Sequence, residues 1–343
     1  MQNDVQEFSR QIDASREAIR KTLTRFQKPV ISLSVWQLVN TLTPFFALWA
    51  LAAYLYPRVS YWLVLPVVVL AAGFMVRAFI IFHDCTHGSF FSRQAANDVV
   101  GRLLGVVVFT PYDYWKHEHN IHHATAGNLD KRGIGDVPTW TVEEYRAKPW
   151  VARLGYRLMR QPLILLTVVS FYVFAISHRF WLPGTGRREK MSVVYTNLAL
   201  TAVIGALVWL LGWQAVAAIQ IPLLLVASAG GLWLFYVQHN FEGTYWEHQP
   251  DWDFYKAGLL GSSFYKLPAI LNWFTGNIGY HHIHHLSPRI PNYNLPKVHQ
   301  ADPIFQQVRP LTLWRSFKSL SYRLWDEQRK MLVGFSVLRN RRV

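Results

Sequence analysis

Only 16 % of the 343 residues are charged, where a soluble domain carries about a quarter. Cysteine occurs once, which excludes a disulfide framework, a structural cysteine–zinc site and a built-in iron–sulfur cluster. Acidic residues are scarce, 20 Asp and Glu against 35 Lys and Arg, for a formal charge of +15 at pH 7. The few carboxylates are not grouped as calcium or magnesium would need. Neither Glu-x-x-His nor His-Glu-x-x-His occurs, so the motifs of soluble di-iron bundles and of zinc proteases are missing. There is no nucleotide fingerprint, fused haem domain, internal repeat or low-complexity linker, and no nucleic-acid partner is expected.

What is abundant is apolar: 51 % of the chain, with 15 % aromatics. Four runs reach the twenty or so residues that span a bilayer: 33–55, 61–82, 191–212 and 214–237. They are uncharged except for Arg77, which is expected to snorkel towards the headgroups. Short links, Tyr56 to Ser60 and little more than Trp213, make them two hairpins. All the basic residues except Arg58 and Arg77 then lie on one side, which is read as cytoplasmic. The first 29 residues are charged, without the apolar run of a cleavable signal peptide.

The expected fold is an all-α integral membrane protein, a single domain over 1–343. Four transmembrane helices in two hairpins carry a cytoplasmic helical cap made by 83–190 and 238–343. Two shorter runs, 99–111 and 162–176, are read as half-buried; a six-span arrangement is the alternative. Residues 1–29 and the pattern Leu313, Phe317, Leu320, Leu324 read as amphipathic helices, lying on anionic lipid or packed on the cap.

Histidine is the unusual entry in this composition, with 14 residues. His83 and His87 are spaced i, i+4; His119, His122 and His123, and again His281, His284 and His285, are spaced i, i+3, i+4; His239 follows the fourth span directly. Such spacings put the imidazoles of each group on one helical face. Imidazole suits zinc, copper, iron and nickel, and one zinc needs at most four ligands. Nine imidazoles fit two metals, and a histidine-rich di-iron centre fits best. His117, His178, His248, His282 and His299 fall outside these patterns and are expected not to bind metal. Asp84, Asp136 and Asn277 are candidates for orienting the imidazoles through the second ring nitrogen. Cys85 reads as a small residue on the back of the first histidine helix.

These residues resemble the membrane fatty-acid desaturase superfamily. The likeness runs from His83-Asp84-Cys85-Thr86-His87-Gly88-Ser89-Phe90-Phe91 through Trp115-Lys116 and the segment from His119 to Thr125. It continues in Asn128 to Gly133, Gly261 to Pro268 and Gly279 to Asn294. Within the superfamily the acyl-lipid desaturases of the Bacillus delta-5 and the delta-12 types are most similar. The resemblance implies an enzyme that inserts a cis double bond into the acyl chains of membrane lipids, using two irons, dioxygen and two electrons. It carries His83, His87, His119, His122, His123, His281, His284 and His285 over as iron ligands, with His239 matching a further histidine. Stearoyl-CoA-type members hold a metal-bound water with an asparagine one turn before that histidine. Phe235 stands there in this chain, so the water site is not carried over.

An unactivated methylene C–H bond needs a metal–oxygen oxidant. The electrons must come from a separate donor, ferredoxin or flavodoxin with its reductase, since the chain has no redox group of its own. A basic cytoplasmic face would steer an acidic donor and would equally attract anionic headgroups. The expected location is the bacterial cytoplasmic membrane, with the site and both termini inside. Related hydroxylases or ketolases, and a non-catalytic metal- or haem-binding membrane protein, are the competing readings.

Overall fold

The computed structural model describes residues 2–339, with side chains from Gln6 onward; residue 1 and residues 340–343, part of the expected terminal segments, lie outside the described residues. In chain order the helices are α1 Gln2–Arg25, α2 Ile31–Leu55, α3 Tyr61–Thr86, α4 Gln94–Val107, α5 Tyr112–Thr125, α6 Val142–Ala147 and α7 Trp150–Met159. They continue as α8 Pro162–Arg179, α9 Arg187–Leu211, α10 Trp213–His239, α11 Phe254–Gly261, α12 Ala269–Phe274, α13 His281–Leu286 and α14 Leu295–Ala301. Five of them, α2, α3, α8, α9 and α10, are long and apolar enough to cross a membrane.

Burial ranks these five. Half of the apolar window of α3 and 44 % of that of α10 are buried, against 17 % for each of the others. The core therefore forms where α3 packs between α2 and α10, around Val68, Ala72, Met75, Phe82, Ile219 and Leu223. The outer helices expose Trp36, Phe46, Leu198 and Trp209, an apolar surface far beyond what a water-soluble protein tolerates. Helices α3, α9 and α10 overrun the expected spans by a few residues, so His83 and His239 lie on continuous helix.

Three expectations change and one choice is decided. Arg77 does not snorkel: it is buried, its Nε donates to Thr41 Oγ1 at 3.0 Å, its Nη1 donates to the Trp273 carbonyl, and its guanidinium sits 3.9 Å from the Trp273 ring centre. A hydrogen-bonded, ring-stacked guanidinium close by is less costly than a long reach past Phe74 and Phe274. Of the two readings of residues 1–29, packing on the cap is the one found: α1 buries Ile12, Ile19 and Leu23 against Ile283, Ile290, Val298 and Phe305. The expected helix through Leu313 to Leu324 breaks into one short turn, Leu313–Ser316, a 3-10 segment, Phe317–Ser321, and a strand. Finally, the cap is not purely helical. Strands β1 Phe264–Lys266 and β2 Pro310–Thr312 pair in parallel, and β3 Leu324–Asp326 pairs antiparallel with β4 Met331–Val333.

Of the two stretches expected to be half-buried, 99–111 is so, while 162–176 lies in α8, a candidate span with 17 % of its window buried. Val99 and Leu103 on α4 are exposed while Gly101, Leu104 and Gly105 are buried. Gly101 admits the Tyr112 ring, which a Cβ would meet at 2.1 Å. Helix α8 is unusual for its π-helical turns, Leu165–Val169 and Tyr172–Ile176. Before it, Arg160 donates to the carbonyls of Pro138 and Tyr322. At its far end Arg179 donates to the Phe109 carbonyl and the Asn197 side chain, and His178 lies 3.4 Å from Thr110 Oγ1.

Candidate metal centre

Each histidine group owes its direction to a local device. His83 lies in the last turn of α3, which Thr86 and Ser89 close by hydrogen-bonding the carbonyls of His83 and Asp84. Gly88 follows with φ +67°, the left-handed turn that ends a helix after its last carbonyls, so His87 turns back beside His83. Tyr112 then ties the two histidine helices together, its hydroxyl lying 2.7 Å from the Cys85 carbonyl and 2.9 Å from Asp98 Oδ1, with one proton to share between them. On α5, His119, His122 and His123 share the buried face, and Trp115 stacks on His119 at 4.1 Å. The third group begins where β1 holds it: Tyr265 N donates to Gly279 O at 2.7 Å, and His282 N to Ser263 O.

The nine expected histidines converge in two buried groups. One contains His83, His87, His119, His123 and His284; the other contains His122, His239, His281 and His285, and within each the ligand atoms lie within 4.8 Å of one another. The groups touch, because His123 of the first stacks on His285 of the second with ring centres 4.2 Å apart. His117 is exposed, His178 is held near Thr110, His248 sits on the surface between Asp130 and Glu327, and His282 and His299 pack around Phe264. None of these five joins either group.

The nitrogens fit a metal. In the first group His123 Nε2 lies 3.0 Å from His119 Nε2 and 3.1 Å from His284 Nε2; in the second, His239 Nε2 lies 3.1 Å from His122 Nε2 and 3.0 Å from His281 Nε2. Two nitrogens bound to one ion at about 2.1 Å stand about 3.0 Å apart at a right angle and about 3.4 Å apart in a tetrahedron. Nitrogens at these separations can share one ion in each group. His87 Nε2 and His285 Nε2 are buried without a hydrogen-bond partner, a costly state for a polar atom unless an ion takes it up. Burial first, then neighbouring imidazoles, push His119, His123, His284 and His285 well below the usual histidine range. Neutral imidazole is the form that binds metal.

The three orienting candidates part ways. Asp136 accepts from His122 Nδ1 at 2.6 Å and from the Gly133 N–H. Burial, the largest single influence, would raise its carboxyl, but the hydrogen bond and charge of His122, with His239 and the Gly133 N–H, together hold it below the ordinary value. Asp84 Oδ1 stands 3.5 Å from His83 Nδ1, while its Oδ2 accepts from Asn292 N and Nδ2, both at 2.8 Å. Asn277 makes no hydrogen bond to a histidine; it occupies a turn at φ +58° and donates to the Asn292 carbonyl, so capping geometry, not imidazole orientation, accounts for it. Asn292 and Gln37 escaped notice in the sequence. Gln37 of α2 exchanges two hydrogen bonds with Asn292, at 2.8 and 3.1 Å, which joins three distant segments behind His83. No local pattern marks such a link; a lone glutamine in an apolar span was its only signal.

Two spaces reach the histidines from different sides. An apolar cavity of about 690 Å³ runs between α3, α8 and α10, past Met75, Phe79, Phe174 and Leu224, to His83, His119 and His281. A second cleft, in which Asn128, Arg132, Asp136 and Asn240 stand among apolar walls such as Val137 and Trp246, reaches His122 and His239.

Comparison with known proteins agrees with this chemistry. Residues 60–315 match the family model described as fatty acid desaturase. A fatty acid desaturase of Bacillus subtilis is 46 % identical over 325 residues, 95 % of this chain and 92 % of the relative. Two Synechocystis proteins are also similar. An sn-1 acyl-lipid omega-3 desaturase (ferredoxin) is 27 % identical over 78 % of this chain and 76 % of its own length. An sn-1 oleoyl-lipid 12-desaturase is 28 % identical over 69 % and 68 %.

Proposed function

The chain belongs to the fatty acid desaturase family, and from that premise we propose an acyl-lipid desaturase with two irons. His83, His87, His119, His123 and His284 would hold one iron, and His122, His239, His281 and His285 the other. Iron with dioxygen as co-substrate supplies the oxidant that an unactivated C–H bond demands. The observation that carries the reading is the apolar cavity ending on His83, His119 and His281. Its walls offer an acyl chain dispersion contacts and give neighbouring methylenes a fixed approach to the histidine pair. Met75, Phe79 and Phe174 bind and exclude water, and Trp115 fixes the His119 ring. Asp136 keeps His122 in the tautomer whose Nε2 lone pair faces the centre. One carbon loses a hydrogen atom and its neighbour a second, leaving a cis double bond.

Four crossings are the arrangement that best fits the anchors. Arg160 and Arg179 tie both ends of α8 to segments beside the histidine helices, so α8 enters and leaves on one side. Helices α9 and α10 then form the second hairpin and return His239 to the level of His83. The whole chain is one domain, in the cytoplasmic membrane with centre and termini inside, following its basic residues. Two electrons per double bond would come from a separate ferredoxin or flavodoxin; one similar desaturase bears ferredoxin in its name.

The test is expression in a host whose lipids lack the product, with gas chromatography and double-bond location. A new unsaturated acyl chain in the lipids, abolished by His284→Ala, is expected. Hydroxylated or oxo products alone would assign the site to a hydroxylase or ketolase. Unchanged lipids from iron-loaded, donor-supplied enzyme would end the desaturase reading of this site.

A further inference from the structure

Phe235 lines both the apolar cavity and the second cleft. It lies on α10 one turn before His239, on the same face, with its ring 5.1 Å from the His122 ring and 5.5 Å from that of His239. On the cleft side, Arg132, Asp136 and Asn240 offer water several polar partners. On the cavity side, Gln238 spends its amide N–H on the Ile278 carbonyl at 3.0 Å and the surroundings are apolar. Water is stable in the first setting and not in the second, and one aromatic ring stands between them.

We propose that Phe235 is a septum that keeps cleft water and its protons away from the acyl chain, so that dioxygen is spent only on C–H bonds. The proposal rests on the desaturase reading. In a coupled turnover one dioxygen receives two electrons from the donor and two from the paired C–H bonds; with two protons from solvent and two hydrogens from the chain, two waters form. Breaching the septum lets cleft water fill the cavity beside the centre, so the chain's two hydrogens are no longer presented to reduced dioxygen. Two donor electrons and two protons then convert dioxygen to hydrogen peroxide, and no double bond is made.

The test uses purified enzyme in lipid nanodiscs and three substitutions: Phe235→Ala opens the partition, Phe235→Gln keeps bulk but admits water, and Phe235→Leu keeps it apolar. In resting enzyme without donor, anthroyloxy-labelled stearate displaceable by stearate reports the cavity, and iodide added from the aqueous side reports its access to water. Quenching is expected to rise several-fold in Phe235→Ala and Phe235→Gln and to stay near wild type in Phe235→Leu. With donor and dioxygen, peroxide formed per electron should rise in the same two variants and remain low in the third. If Phe235→Ala fails to fold, Phe235→Gln against Phe235→Leu decides alone. Wild-type quenching in the folded polar variants, or lost desaturation without peroxide, overturns the septum. A probe that stearate cannot displace from wild type overturns the acyl reading of the cavity instead.

Discussion

The two histidine groups are built from the same residue type and held in different ways. In the group of five, His123 Nδ1 has no hydrogen-bond partner, and His83 Nδ1 stands 3.5 Å from Asp84 Oδ1 without a hydrogen bond, beside the Trp115 ring. In the group of four, His122 is fixed by the Asp136 carboxylate and His239 Nδ1 lies 3.3 Å from the Gly261 carbonyl. The first group is positioned by packing, the second in part by hydrogen bonds. A carboxylate behind an imidazole makes it a better electron donor to its metal, so two sites of the same chemistry are expected to differ in charge and potential. Both groups reach the apolar cavity, through His83 and His119 of the first and His281 of the second, and the second alone lines the cleft, through His122 and His239.

The largest effect should come from removing a nitrogen on either side. His284→Ala in the first group and His285→Ala in the second should each abolish desaturation and lower iron content by about half, since neighbouring imidazoles can retain the other ion. Metal analysis and Mössbauer spectra of the two variants would separate the sites. Identical residual spectra would erase the difference between the groups, and full activity in either variant would strike that residue from the ligand set.

Much of this was legible in the sequence because ligand spacing is local. His119, His122 and His123 share a face by helical periodicity alone, and box-like spacing put His83 and His87 together at a helix end. The division into five and four was not legible. His284 and His285 are neighbours in the chain yet serve different groups, because successive residues on a helix point about 100° apart and the groups lie on either side of that turn. The spans were read from uninterrupted apolar runs, while the cap depends on contacts hundreds of residues apart, such as Ile12 with Val298. Amphipathic spacing says that one face is buried, not what buries it; hence the choice between lipid and cap that α1 leaves open in the sequence. Arg77 shows the same limit: its charge was visible, its partner Trp273 was not.

A smaller effect tests the cleft side. Asp136→Asn keeps shape but removes the negative charge behind His122, and outer partners of this kind are worth roughly 10–100-fold in metal affinity or activity. Iron retention under a chelator should fall in the group of four and not in the group of five. Equal losses from both would mean that Asp136 supports the fold as a whole.

The smallest effect should come from the histidine that the centre leaves out. His248 Nδ1 lies 2.7 Å from Asp130 Oδ1, and Nε2 3.3 Å from Glu327 Oε2, all at the surface. The Asp130 hydrogen bond, then that of Glu327, raises the His248 pKa, and the Gln249 N–H followed by His248 lowers that of Asp130. A raised histidine contributes stability below its unfolded pKa and loses it as pH climbs through the folded one; a lowered carboxylate loses its share as pH falls through its own folded value. The pair therefore acts between the two, with its alkaline limit above the ordinary histidine value. His248→Ala should leave desaturation within a few-fold and slightly flatten the pH dependence of melting across that limit, because exposed pairs contribute little. Loss of iron or of activity would place a tenth histidine in the centre and undo the partition into five and four.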